Sequence, residues 1–150
     1  MPTVENTFFV NVEVVIVRQG RFLMIERGEG EEFGAGWFCM PGGTVEWDIP
    51  MDDALEVTAR REVMEEVGLA LDETIVYVES HTFDAGGPAL DVVMLARPAD
   101  PAAEPRIVSP DEVAALCWMT LVEIFADNRV QSWTRESLQR AATLRKMLNW

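Results

Sequence analysis

The stretch from Arg61 to Leu69 reads Arg-Glu-Val-Met-Glu-Glu-Val-Gly-Leu and restricts the fold and chemistry of this chain more than any other. A helix turns by about 100° per residue, which places Glu62, Glu65 and Glu66 on one narrow stripe. Like charges at this spacing repel by about 0.2–0.5 kcal/mol per pair. The stripe therefore needs water to screen it or a cation to bind, and magnesium is the natural candidate. A solvated amphipathic helix is the alternative interpretation.

The same region predicts a helix over residues 50–67. Pro50, followed by Asp52 and Asp53, is typical of a first turn rich in negative charge. Gly68 stands where a helix commonly ends in the left-handed conformation. Residues at helical spacing give the helix an apolar face: Leu55, Ala59, Val63 and Val67. The helix is thus expected to dock on a core and to turn its acids toward a cleft.

A Pro41-Gly42-Gly43 turn precedes this helix in the chain. Glycine backbone can approach a ligand closely because it carries no Cβ. Flexible backbone beside clustered carboxylates is the arrangement that a metal-bound phosphate needs. The two segments together favour a metal site over a solvated helix face.

With both segments in place, the chain resembles the Nudix hydrolase family. The family signature is a glycine, five residues, a glutamate, seven residues, then Arg-Glu-apolar-x-Glu-Glu-x-Gly-apolar, and Arg61 to Leu69 matches the second half in full. The first half departs from the pattern. Asp53 stands where the family has glutamate, and Gly43 precedes it by ten residues instead of six. The four extra residues are predicted to lie within Thr44 to Asp52, before the helix proper.

The resemblance extends to the segments on either side of the signature. Residues 37–43, Trp-Phe-Cys-Met-Pro-Gly-Gly, look like the family's approach to it. Ser109-Pro110-Asp111-Glu112, followed by Trp118, looks like the segment that closes the site. The resemblance therefore covers most of the chain.

The resemblance implies hydrolysis of a phosphoanhydride by metal-activated water. Its substrate would be a nucleoside di- or triphosphate or a nucleoside diphosphate linked to another group. By resemblance, Glu65 and Glu66 are direct metal ligands, and Glu62 is a further ligand or the general base. A carbonyl of Gly42 or Gly43 would complete the shell. The expected cofactor is Mg²⁺, with Mn²⁺ as the alternative.

Other charged residues have supporting roles in this scheme. Arg61 is expected to orient a carboxylate, because its spacing places it beside Glu65. Asp53 is the expected partner of that arginine or of the metal shell. Three acids could add an outer ligand or supply the base, and each could equally be a solvated charge: Glu46, Asp111 and Glu112.

Composition bounds the remaining function classes. One domain is expected over residues 1–150, and the length suffices to bury a sizeable core. The net charge of −14 argues against nucleic-acid binding, because the chain has 26 acidic and only 12 basic residues.

Apolar runs are too short to span a bilayer and no signal peptide is evident, so a cytoplasmic protein with no membrane partner is expected. Cys39 and Cys117 are expected to be reduced, packed thiols rather than a disulfide. His81 is expected to pack at a strand end or to contact substrate.

Residue periodicity predicts the other elements. Strands are expected at Phe8 to Ile16, Phe22 to Glu26, Trp37 to Met40, Thr74 to Thr82, Leu90 to Ala96 and Ala115 to Met119. Arg27 to Gly36 is predicted to be a loop, either a surface connection or a substrate lid. Four prolines make residues 97–110 irregular. Thr120 should cap a helix at Leu121 to Ala126, and Thr134 one that ends near Leu148.

These elements predict an α+β fold, a mixed β-sheet with the central acidic helix and the C-terminal helix on opposite faces. The resemblance implies the same Nudix-like α/β/α sandwich. Periodicity leaves the strand order open.

Two other functions are compatible with the sequence. A nucleotide-binding module of the same fold could have lost turnover, since the first half of the signature is altered. A relative acting on an isoprenoid diphosphate without hydrolysis would need a protonating group over an alkene, for which Cys39 is the candidate. Substrate identity and oligomeric state stay open. Aromatic residues could stack on a base or simply belong to the core: Trp37, Phe38, Tyr77 and Phe83.

Overall fold

The computed structural model describes residues 7–150. Residues 1–6 of the predicted domain lie outside this part, and the extent of a single domain over residues 1–150 stays a prediction. The elements in chain order are β1 (Phe9–Arg18), β2 (Arg21–Arg27), β3 (Phe38–Cys39), β4 (Gly42–Thr44), α1 (Ala54–Val67), β5 (Val76–Asp84), β6 (Pro88–Ala96), β7 (Val113–Met119), α2 (Leu121–Ala126) and α3 (Ser132–Met147).

Strand β1 lies at the centre of the sheet. It pairs in parallel with β6 and antiparallel with β2 and β4. Strands β5 and β6 form an antiparallel hairpin, and β7 pairs antiparallel with β2. The sheet is therefore mixed, and its parallel pair comes from strands distant in the sequence, which periodicity could not identify.

Successive side chains of β1 point to opposite faces of the sheet, and a separate hydrophobic core lies on each face. Val12, Val14 and Ile16 point toward α1, where the helix buries Ala59 and Val63. Val15 and Val17 point to the opposite face, which α3 covers. The prediction of an α+β sandwich with helices on both faces is confirmed.

The predicted start of the acidic helix is wrong. Helix α1 begins at Ala54, not at residue 50, because Asp53 adopts a left-handed conformation with φ of 51°. The chain therefore enters the helix through a sharp turn, and Asp52 and Asp53 are exposed ahead of it. The predicted end is confirmed. Gly68 has φ of 67° and its N–H donates to the Met64 carbonyl, as expected for a left-handed C-terminal residue.

Helix α2 begins at Leu121 as predicted, and Thr120 caps it by forming a capping box with Glu123. The predicted cap of α3 is wrong. Gln131 precedes the helix in an extended conformation, and Thr134 is a buried residue within the first turns. The predicted strand from Trp37 to Met40 shortens to β3 because the Trp37 N–H donates to the Gly34 carbonyl in a turn.

Within residues 7–150, no helix has the length and apolar character needed to cross a membrane. Cys39 and Cys117 are both free thiols, and Cys39 is partly buried. The prediction that both are packed is wrong for Cys117, which is exposed on β7.

Candidate active site

Gly42 and Gly43 belong to strand β4, so the predicted turn at Pro41-Gly42-Gly43 is wrong. The acidic end of α1 faces β4 across an open cavity of about 1090 Å³, called here the acidic cavity. The predicted site residues in its wall are Gly42, Gly43, Glu46, Arg61, Glu62, Glu66 and Glu112. Strand β4 is fixed on β1 by antiparallel pairing, with Gly42 opposite Glu13. A rigid sheet therefore places the glycine backbone beside the helical carboxylates.

Both glycines are required by close packing. A Cβ at position 42 would overlap the Val12 carbonyl oxygen, because β4 lies directly on β1. A Cβ at position 43 would overlap the carboxyl group of Glu62. The absence of a side chain at position 43 thus lets this carboxylate lie against the backbone.

Glu66 is the least exposed acid on α1, with 7% of its surface accessible. Burial, and after it the charge of Glu62, raise the pKa of Glu66 to about 8, while a hydrogen bond from the Gly42 backbone lowers it. Its Oε2 atom is buried and has no hydrogen-bond partner among residues 7–150. An unpaired buried carboxylate oxygen is costly, so this atom needs a proton or a cation.

Glu62 and Arg61 form the closest ion pair on the helix, with 2.8 Å between Oε1 and Nη1. Burial raises the pKa of the Glu62 carboxyl, and the charge of Arg61 opposes this shift. Arg61 also donates to the Thr44 carbonyl at 3.1 Å. The arginine therefore links the helix to β4 and holds Glu62 beside Gly43, in line with its predicted orienting role.

Glu65 lies apart from the other two carboxylates. Its Oε2 is 3.3 Å from Nη1 of Arg61, and its side chain is 56% exposed. Within the described part of the chain, no three His, Cys, Asp or Glu side chains converge on one point. The structure thus brings together Glu62 and Glu66 with the two glycines, whereas Glu65 would have to rotate to join them.

The four auxiliary acids occupy different places. Glu112 lines the acidic cavity and its charge raises the pKa of both Glu62 and Glu66. Glu46 is 3.6 Å from Arg61, so the loop before α1 reaches the site. Asp111 lines a separate surface depression beside residues 28–32. Asp53 is exposed at the start of α1 and is not among the partners of Arg61 in residues 7–150.

A divalent cation fits the donors at the junction of α1 and β4. Mg²⁺ keeps several waters and is commonly held by one or two carboxylates together with substrate phosphates. Glu66 supplies an unpaired oxygen and Glu62 a second carboxylate. Two carboxylates are enough for Mg²⁺, so a cluster of three acidic side chains is not needed. The assignment of individual ligands stays a prediction.

Comparison with known families matches residues 7–141 to the NUDIX domain model, which spans nearly all of the chain. The chain belongs to the NUDIX family. It is a Nudix-type hydrolase, as the signature at Arg61 to Leu69 predicted. Comparison with curated proteins gave no match.

Solved structures of Nudix proteins share this fold. A MutT NUDIX hydrolase from Burkholderia pseudomallei is 31% identical, with a TM-score of 0.74 over 90% of this chain and 98% of that one. A MutT protein from Methanosarcina mazei Go1 is 20% identical, with a TM-score of 0.71 over 96% and 99%. The NUDIX domain of Shewanella oneidensis NrtR, solved with ADP ribose, is 21% identical, with a TM-score of 0.68 over 95% and 90%.

A second cavity of about 610 Å³ adjoins the acidic cavity of this Nudix hydrolase on the α3 side, and we call it the aromatic cavity. The two share Asn11, Arg27, Gly42 and Glu66 among their lining residues. Three of the proposed stacking residues line it: Trp37, Phe38 and Phe83. Tyr77 does not line it and is 57% exposed on β5. His81 also lines this cavity, which agrees with a substrate-contact role and leaves it a prediction.

Cys39 lines the aromatic cavity and not the acidic one. Burial, followed by the charge of Glu13, raises the pKa of its thiol to about 12. A thiol with so high a pKa stays protonated and is a poor nucleophile and metal ligand near neutral pH.

A group of polar side chains in the wall of the aromatic cavity is not predicted by the sequence. Asp91 on β6 lies opposite Asn11 on β1, and Glu13 follows on the same face of β1. Burial, and after it hydrogen bonding and charge from Asp91, raise the pKa of Glu13 well above its usual range. In the sequence, the only indication of this group is one acid within each of two otherwise largely apolar strands, Glu13 in β1 and Asp91 in β6. The parallel register that brings them together cannot be seen in the sequence.

Proposed function

We propose that this Nudix hydrolase uses Mg²⁺, or alternatively Mn²⁺, to split a phosphoanhydride bond in a nucleotide or nucleoside diphosphate derivative. One observation carries the proposal. The buried Oε2 of Glu66 has no partner among residues 7–150, and Glu66 lines an open cavity together with Glu62 and the two glycines. A bound cation would satisfy that oxygen and would bridge a diphosphate to an otherwise repellent acidic wall.

The cation would supply Lewis-acid charge and a more acidic water when bound. Arg61 keeps Glu62 in place through their 2.8 Å contact. A carboxylate whose pKa is raised accepts a proton more effectively near neutral pH, so Glu62 is also suited to be the general base. Glu112 shares the cavity and is the second candidate for this role.

Arg27 is placed to contact the substrate phosphates. It lines both the acidic and the aromatic cavities, where its positive charge partly offsets the acids. Its guanidinium is held in position by the Phe33 carbonyl at 2.8 Å and by Glu31 at 3.0 Å. A positioned arginine suits phosphate recognition because its planar fork presents several donors at once.

A nucleotide derivative suits the paired cavities. The Shewanella NrtR domain, which shares the fold, was solved with ADP ribose. In this chain, an aromatic-walled cavity opens beside the acidic one, and the two meet at Glu66. A molecule with a planar ring and a diphosphate could therefore occupy both. We also propose that the partner is a small phosphorylated molecule rather than a nucleic acid, in line with the net charge of −14.

Turnover tests the proposal directly. Nucleoside triphosphates, nucleotide sugars and dinucleoside polyphosphates are incubated with and without MgCl₂, and products are identified by mass. Phosphoanhydride cleavage that requires the cation supports the proposal. Binding without cleavage would instead indicate a nucleotide-binding module, and conversion of an isoprenoid diphosphate without phosphate release would indicate the third function.

Divalent cations are expected to raise the melting temperature of the substrate-free protein. An ion that binds only the folded state stabilises by RT ln(1 + [L]/Kd), about 2.7 kcal/mol at a concentration of 100 Kd. Differential scanning fluorimetry with MgCl₂, MnCl₂ and NaCl at matched ionic strength measures the shift. Equal shifts with NaCl would show that the acids are only being screened.

A further inference from the structure

The aromatic cavity has walls suited to a planar ring. Phe33 and Trp37 meet edge to face, with centroids 5.2 Å apart, and Trp37 meets Trp133 in the same way at 5.7 Å. Phe83 lines the same cavity from β5. Phe33 comes from the loop after β2 and Trp133 from the first turn of α3, so three separate segments supply ring surfaces. Aromatic side chains arranged in this way offer stacking surface to a flat ligand.

Asp91 contributes a buried carboxylate to this cavity. The residue is only 1% exposed, and it lines the cavity from β6. Its Oδ1 accepts a hydrogen bond from Nδ2 of Asn11 at 2.7 Å. Its Oδ2 is buried and has no hydrogen-bond partner among residues 7–150 other than the neighbouring Glu13 carboxyl when that group carries a proton. Nε2 of His81 is 3.7 Å away, too far for a hydrogen bond.

The side chains around Asp91 offer more acceptors than donors. Glu13 places a second carboxyl group beside Asp91. Two carboxyl groups offer more acceptor oxygens than donors whether or not they share a proton. Nδ2 of Asn11 donates to Oδ1 of Asp91, and Nε2 of His81 is too far away to donate to Oδ2. A ligand that pairs well here must therefore bring its own N–H donors.

We propose that Asp91 is a specificity-determining residue that selects substrates whose planar ring carries an amino group. The proposal deepens the proposed function and rests on it for the diphosphate half of the substrate. The aromatic side chains would hold the ring while Asp91 accepts a hydrogen bond from its edge. Glu66, shared by both cavities, lies where the ring half of the molecule passes into its diphosphate half.

Two matched pairs of nucleotides test the ring preference apart from hydrolysis. Guanosine and inosine 5′-monophosphates differ by one amino group, and cytidine and uridine 5′-monophosphates exchange an amino group for a carbonyl. None contains a phosphoanhydride, so binding to the full chain is measured without metal by calorimetry and by quenching of the cavity tryptophans. The amino member of at least one pair is expected to bind at least about tenfold more tightly, as one hydrogen bond to a charged group provides.

Asp91→Asn should reduce this preference to within about twofold, because the amide offers a donor where the carboxylate accepted. Asp84→Asn is the matched control. Asp84 lines the same cavity, but its Oδ1 already accepts from the N–H groups of Gly86 and Gly87, so the preference should persist. Asn11 can still donate to an amide oxygen at position 91, and circular dichroism verifies that the variant folds.

Equal binding within both pairs by the wild type, or no binding of any of the four, would overturn the proposal even if Asp91→Asn failed to fold. An unchanged preference in folded Asp91→Asn would overturn it too. Failure of the proposed function looks different. In that case, the amino preference and its loss in Asp91→Asn would be present, but no phosphoanhydride would be cleaved in MgCl₂.

Discussion

Glu66→Gln is expected to abolish most hydrolysis while the metal-free protein becomes as stable as the wild type or more so. The substitution removes the buried carboxylate whose Oε2 has no partner. Loss of one ligand charge weakens cation binding and the charge stabilisation of the transition state. We expect kcat/KM to fall at least about a hundredfold, because metal charge stabilisation contributes several kcal/mol. Steady-state kinetics in saturating MgCl₂ measures the loss.

The stability half of this prediction depends on pH. Burial and Glu62 raise the pKa of Glu66 from 4.5 to about 8 in the folded protein. The folded state therefore binds this proton more tightly than the unfolded chain does. Its stabilising contribution is present in full below about pH 4.5 and is lost as the pH rises through about 8. Without metal, Glu66→Gln should gain in melting temperature relative to the wild type across this interval.

Glu65→Gln provides the control for the pH effect. Its side chain is 56% exposed and lies beside Arg61, so the substitution should lower activity if Glu65 rotates to the cation. It should change the pH dependence of metal-free stability far less than Glu66→Gln does, because the charge of Glu65 only adds to the effect of burial on the pKa of Glu62. Near wild-type turnover by Glu66→Gln in saturating MgCl₂ would contradict its role as a ligand. If the stability of Glu66→Gln depended on pH as that of the wild type does, the raised pKa of the buried Glu66 carboxyl would be contradicted.

The parts that the sequence predicted depend on local rules. The acidic stripe, the glycine at the end of α1 and the capping box of α2 are each encoded within a few residues. A left-handed Gly68 and a Thr120 paired with Glu123 follow from nearest-neighbour sterics and hydrogen bonding. Family resemblance added the function class, because the match at Arg61 to Leu69 is long and specific.

The parts that the sequence did not predict depend on long-range packing or on local backbone strain. Asp91 and Asn11 are 80 positions apart and meet only because β1 and β6 pair in parallel. The start of α1 was placed too early because Pro50 and two aspartates imitate a first turn, whereas the left-handed Asp53 breaks the helix there. Glu65 is 56% exposed while Glu66 is buried, because the burial of each carboxylate depends on what packs against α1, and helical spacing alone does not determine that.

Gly43→Ala is expected to lose activity, while Gly42→Ala is expected to lose stability. The Cβ at position 43 would overlap the Glu62 carboxyl, which is the flexible end of a side chain and can move away. The fold should tolerate this, but Glu62 leaves its position. A displacement of about 1 Å in a catalytic group can cost roughly a hundredfold in rate. We therefore expect kcat/KM to fall by about that factor, with little change in melting temperature.

The Cβ at position 42 would instead overlap the Val12 carbonyl oxygen in the central strand, where the backbone cannot yield without disturbing β1. Overpacking of this kind costs about 1–3 kcal/mol, which lowers the melting temperature of a domain of this size by about 2–12 °C. Kinetics and thermal unfolding of both variants separate the two roles. If Gly43→Ala kept wild-type kcat/KM, the contact between Glu62 and the glycine backbone would have no part in catalysis, and Glu112 would become the stronger candidate for the general base.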